Sequence, residues 1–192
     1  MRQLHFDDFH GWDYLSTERV TANAVFLLYA LPLSLVPPLM LYYAGTHYQI
    51  EYLSLLKGDL LQTVCGIFFL AEQAMLFLMA AAVQRIGETL LSPTGEFEPS
   101  YENSLKLSAI GATPMWLAPL VLFVPNLTIA LLVAPLALIA SAAMIFQGTP
   151  AIFGIEERTR AALYSTAIVF AGIVGWATMF YVVLFILNVA MP

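Results

Sequence analysis

Five apolar runs, each long enough to cross a bilayer as a helix, set the limits on what this chain can be. A helix needs roughly 20 apolar residues to traverse about 30 Å of hydrocarbon. Runs near that length lie at 21–44, 60–83, 105–123, 127–146 and 161–189. Hydrocarbon offers no partner to a free backbone N–H or C=O, so such runs must be helical. Charged residues make up 10% of the chain, against about 25% in an ordinary soluble domain. The expected fold is therefore an all-α integral membrane protein, a bundle of five transmembrane helices. Nothing outside the runs is long enough to bury a core. The expected organisation is a cytoplasmic or interfacial N-terminal tail over 1–20, then a single five-helix membrane domain over 21–190.

The basic residues predict the orientation. Arg2 and Arg19 precede the first run, Arg85 and Lys106 flank the second connection, and Arg158 and Arg160 lie in the fourth; only Lys57 falls on the other side. Cytoplasmic connections are enriched in Lys and Arg, which predicts a cytoplasmic N-terminus and an external C-terminus. The tail "MRQLHFDDFHGWDYLSTERV" is acidic and aromatic, without the basic start and short apolar core of a cleaved signal peptide, so it is expected to be retained. Its rings Phe6, Phe9 and Trp12 are expected at headgroup level.

Several chemistries are disfavoured. A net charge of −6 without a Lys/Arg run argues against nucleic acid. Cys65 is the sole cysteine, which rules out an intrachain disulfide and a cysteine-based metal site. His5, Asp7, Asp8, His10 and Asp13 match no zinc spacing, so neither a metal nor another cofactor is expected. The string "SLLK" lacks the companion motifs of an acyl-transfer enzyme. His47 is the only histidine outside the tail, and no serine–histidine–acid set is evident. No catalytic residues are predicted.

What remains is polar or irregular material inside the runs. Pro32, Pro37 and Pro38 fall in the first, Pro114 and Pro119 in the third, and Pro135 in the fourth. Each removes a donor and frees a carbonyl. Two readings are open: kinks that let helices pack, or broken helices that line a cavity. Glu72 in "FFLAEQAMLF" is read as the only formal charge deep in a run, where an ionisable residue costs roughly 2.5–3.5 kcal/mol on insertion scales. Glu72, Gln73 and Thr113 form the candidate intramembrane polar site. It acts either as glue, with Glu72 bonded to Thr113 or a proline-freed carbonyl, or as a site for a proton, ion or headgroup. In the fifth run Ala167, Ala171 and Gly175 recur every four residues, widened by Gly172. They make a seam for a helix of the same chain or of a partner.

The third run opens with "SAIGATPMWLAPLVL". A "VPN" hairpin follows, and then "FQGTPAIFGIEERTRAALYSTAIV", in which Gly148 and Pro150 are expected to end the fourth helix before a short charged loop. With the five-span order and short polar tail, these patterns resemble the Yip family of Ypt/Rab-interacting integral membrane proteins, in its bacterial form, from about Asp13 onward. The matching positions are Thr113, Pro114, Gly148 and Pro150. Ala109 and Ile110 stand where family members often carry Gly-Tyr, and the Asp-Leu-Tyr-Gly-Pro motif of eukaryotic members is absent. The resemblance implies a membrane protein without known catalytic residues, whose relatives organise membranes through self- and hetero-association. Its implied partners are membrane lipids, a second copy or another membrane protein, and no Rab GTPase if the chain is bacterial. A bacterial inner membrane is then the expected location. The alternative expectation is a small transporter, channel or lipid scramblase that uses Glu72.

Overall fold

The computed structural model describes Trp12 and residues 20–48, 58–91 and 98–190. These residues are overwhelmingly helical, and five helices are long and apolar enough to cross a membrane: Ala22–His47, Asp59–Leu91, Tyr101–Phe123, Thr128–Phe153 and Arg158–Phe185. They are called the first to fifth spans below.

The third span is central. It packs against the first, second and fourth, and the fifth closes against the second and fourth. Eight successive residues, Ser104 to Gly111, are buried on every side. The second span instead buries one stripe, Val64, Glu72, Leu76, Ala80, Val83, Gly87 and Leu91, mostly at the four- and three-residue steps that place side chains on one helix face. Hydropathy runs opposite to burial. The third span has the lowest mean hydropathy of the five, 1.4, and the largest buried share, 44%; the fourth has the highest, 2.6, and buries 11%. A face toward lipid must be apolar, whereas a face toward protein can carry polar groups that find partners.

Proline breaks two spans and passes quietly through a third. The first is helical over Ala22–Val25, widens to a π turn over Phe26–Ala30, resumes over Leu31–Leu33, breaks at Ser34 and Leu35, and continues over Val36–His47. Pro32, Pro37 and Pro38 supply no backbone donors there, so an unbroken ladder cannot form. The third turns at Ala112, ahead of Pro114, and tightens to a 3-10 helix over Ala118–Phe123, with Pro119 in its first turn. Pro135 lies inside a continuous helix.

The fourth helix corrects one expectation. Gly148 and Pro150 do not end it: it runs from Leu127 to Phe153 and stops at Gly154, whose φ of 64° is left-handed. Only glycine adopts that conformation without steric cost. The Ile155 N–H bonds back to the Pro150 carbonyl at 3.1 Å. Each of the helix's two internal prolines, Pro135 and Pro150, costs one backbone hydrogen bond, which surrounding packing can offset. The hairpin before it is as expected. The Asn126 side chain accepts from the N–H groups of Thr128 and Ile129, at 3.0 and 3.2 Å, and caps the helix.

Candidate functional site

Glu72 faces the interior with 8% of its surface exposed, one turn from Leu76, which packs in a cluster with Ala80, Ala30 and Trp116. Its Oε2 has no hydrogen-bond partner among the described residues. Thr113 is not that partner. Its hydroxyl lies 2.6 Å from the Tyr29 hydroxyl and also donates weakly to the Ala109 carbonyl at 3.4 Å. Gln73 points elsewhere again, its Nε2 donating to Ser34 Oγ at 2.7 Å, while Ser34 Oγ donates to the Leu31 carbonyl at 3.0 Å. The three predicted residues therefore do not converge. Gln73 holds the second span to the break in the first, Thr113 ties the third to the π turn of the first, and Glu72 lies buried beside them.

Tyr29 and Ser34 were missed as members of this region, because a tyrosine and a serine in an apolar run carry no signal until the opposing helix is known. The Tyr29–Thr113 contact bridges two irregular segments, so it is expected to be cooperative. In a double-mutant cycle, Tyr29→Phe and Thr113→Val should show a coupling of roughly 0.5–1.5 kcal/mol in unfolding measurements. Strictly additive effects would show that the contact holds nothing.

A second buried charge also escaped the sequence reading, which took Lys106 as a residue flanking a loop. It sits inside the central helix, 2% exposed, with its Nζ 3.3 Å from Glu102 Oε1. The same carboxylate oxygen accepts the Ala22 N–H at 3.0 Å, fastening the start of the first span to the third. Asn103 Nδ2 reaches the Ile152 carbonyl at 3.4 Å and ties in the fourth span. The legible signal was Ser100 as N-cap of "YENSLKLS", with Glu102 and Lys106 four apart. At the opposite end Tyr43 stacks on His47, with ring centroids 4.3 Å apart, and meets Phe123 edge-on. Tyr48 Oη donates to the Phe123 carbonyl at 2.9 Å.

Trp12 does not lie on the outside of the bundle. It is 7% exposed, inside a core cluster with Val83, Leu91, Leu107, Ile110, Ile152, Tyr164 and Ile168, which come from four spans. Gly148 admits it: a Cβ there would lie 2.6 Å from Trp12 Cη2 and Cζ3 and 2.9 Å from Leu107 Cδ1. The tail residues His5, Phe6, Asp7, Asp8, Phe9, His10 and Asp13 lie outside the described residues.

The small-residue seam of the fifth span closes within the chain at its far end. A Cβ on Gly175 would come 3.0 Å from Met75 Sδ, and one on Gly172 would touch Met79 at 3.8 Å. Ala171, next to Gly172, is half-buried, and Ala167 lines a surface groove. Tyr164, one turn before Ile168, donates across to the Val83 carbonyl at 2.8 Å.

No group of three or more metal-ligating side chains occurs among the described residues. The Yip1 domain model matches residues 4–179. The chain belongs to the Yip1 domain family. Comparison with curated proteins and with solved structures gave no match. Thr113, Pro114, Gly148 and Pro150, the positions carrying the resemblance, are respectively a tie to Tyr29, the first turn after the Ala112 break, the notch under Trp12 and an internal helix position.

Proposed function

We propose that this multi-pass membrane protein is a non-enzymatic scaffold or adaptor that organises membrane or protein partners by associating within the bilayer plane. The observation that carries this reading is how the polar side chains of the spans are used. Thr113 with Tyr29, Gln73 with Ser34, and Tyr164 with the Val83 carbonyl all join one helix to another. Such ties fix the shape of a surface; they do not set a nucleophile beside a base. Its partners are a second copy or another membrane protein, reached through outward helix faces, since Gly175 is already occupied by Met75. On this reading the N-terminus faces the cytoplasm, because Arg2, Arg19, Arg85, Arg158 and Arg160 then share that side; the membrane is a bacterial inner membrane, as the resemblance to bacterial Yip members implies.

One observation favours a second reading. Glu72 Oε2 is buried without a hydrogen-bond partner among the described residues, and an intramembrane acid is a functional-site hypothesis in its own right. A small transporter, channel or lipid scramblase would use it. Reconstitution separates the two: the scaffold reading expects wild-type proteoliposomes to be as tight as protein-free ones, while the second expects flux that Glu72→Gln alters.

A further inference from the structure

Where the second span ends and the fifth begins, Leu90, Leu91, Leu163, Ala167 and Phe170 wall a half-open apolar groove of about 440 Å³, with Arg160 at one end and Thr166 on its side. The volume falls within the range of small-molecule sites, about 300–1,000 Å³. Leu163 and Phe170 are 62% and 68% exposed, so this apolar surface is open to whatever surrounds the bundle.

We propose that this groove holds one acyl chain of an anionic phospholipid, with the lipid phosphate on the Arg160 guanidinium. Length is the first argument. Ten residues separate Arg160 from Phe170, about 15 Å along a helix at 1.5 Å per residue, and half of a hydrocarbon core of about 30 Å is the depth of one leaflet. The groove therefore runs from a cation to the bilayer midplane, as a lipid does. Charge is the second argument. Glu156, Glu157, Arg158 and Arg160 mark this end of the fifth span as the aqueous one, which sets Arg160 at headgroup level. Arg160 Nε is engaged by Glu157 at 2.8 Å, but both side chains are more than half exposed. Such pairs contribute little, and a phosphate can take a guanidinium in bidentate fashion. The Thr166 hydroxyl donates to the Ala162 carbonyl at 2.7 Å, so it opposes no acyl chain with an unpaired donor. This site is independent of the scaffold reading; it concerns which lipid the bundle carries.

The test uses the purified full chain in detergent, titrated with palmitoyl-oleoyl phosphatidylglycerol or palmitoyl-oleoyl phosphatidylcholine, with bound lipid counted by native mass spectrometry. Wild type is expected to prefer phosphatidylglycerol by about fivefold, the worth of one basic residue near anionic headgroups. Arg160→Gln should bring that ratio close to one, and Arg158→Gln, a change outside the groove, should leave it alone. Ala167→Trp should lose bound lipid of both kinds; Leu163→Trp, at a largely exposed position, repeats the test without threatening the fold. An unchanged ratio in Arg160→Gln overturns the proposal, as does an equal loss in Arg158→Gln, which would reduce the preference to general surface charge. Retained lipid in both tryptophan variants with a shifted oligomer distribution also overturns it, since the groove would then seat a second copy.

Discussion

Gly148→Val is expected to drive Trp12 out of the bundle. The first atom of the new side chain would already stand 2.6 Å from two carbons of the indole and 2.9 Å from Leu107, and two methyl groups would follow. The fourth helix cannot retreat, because Thr149 beside it is fully buried. If the ring stays, overpacking costs roughly 1–3 kcal/mol; if it leaves, the loss approaches that of deleting a buried Trp, about 3–5 kcal/mol. Both lower the thermal midpoint in detergent. Fluorescence distinguishes them. With Trp116 and Trp176 replaced by Phe, Trp12 should emit like a buried indole in the parent and shift to the red in Gly148→Val. Trp12→Ala should blunt the effect of Gly148→Val, because the clash is then gone. Equal midpoints and emission in parent and variant would mean that Trp12 is not seated against Gly148.

Glu72→Leu should make the protein more stable. Burial strips water from the carboxyl group, and its Oε2 gains no hydrogen bond from the described residues in return, so the desolvation cost stands uncompensated. Leu has similar volume, lies on the favourable side of the insertion scale, and extends the apolar stripe already formed by Leu76 and Ala80. A gain on the order of 1–3 kcal/mol is expected, read as a higher unfolding midpoint. Glu72→Gln retains the polar burden and should gain far less. A loss of stability in Glu72→Leu would show that the carboxyl makes a bond the bundle needs.

The spans were legible because hydrocarbon length is a fixed ruler, and their order and the Asn126 hairpin followed from it. Their ends were less legible. The fourth helix runs through Gly148 and Pro150 because the local rule against proline is weaker than the packing of Thr149 and Ile152, both buried. Gly154, four residues later, carries the real stop. The site was legible in part. Glu72 stood out because a charge in an apolar run is rare, but its partners depend on which helices meet, and one sequence does not state that. Thr113 turned to Tyr29 for this reason. Lys106, expected to flank a connection, is buried because it lies in the first turns of the central helix, which faces protein on every side and can hold a paired charge. The position of Trp12 could not be read, since the notch that receives it lies more than a hundred residues away.

The most direct test of whether the polar groups of the spans are ties and not a conduit is a flux measurement on proteoliposomes. Wild type and Glu72→Gln would be reconstituted at equal density, with fluorescent lipid reporting transbilayer movement and an internal pH dye reporting protons. Both are expected to behave as protein-free liposomes do. Lipid or proton movement in wild type that Glu72→Gln abolishes would contradict this expectation and make Glu72 the centre of a transport site.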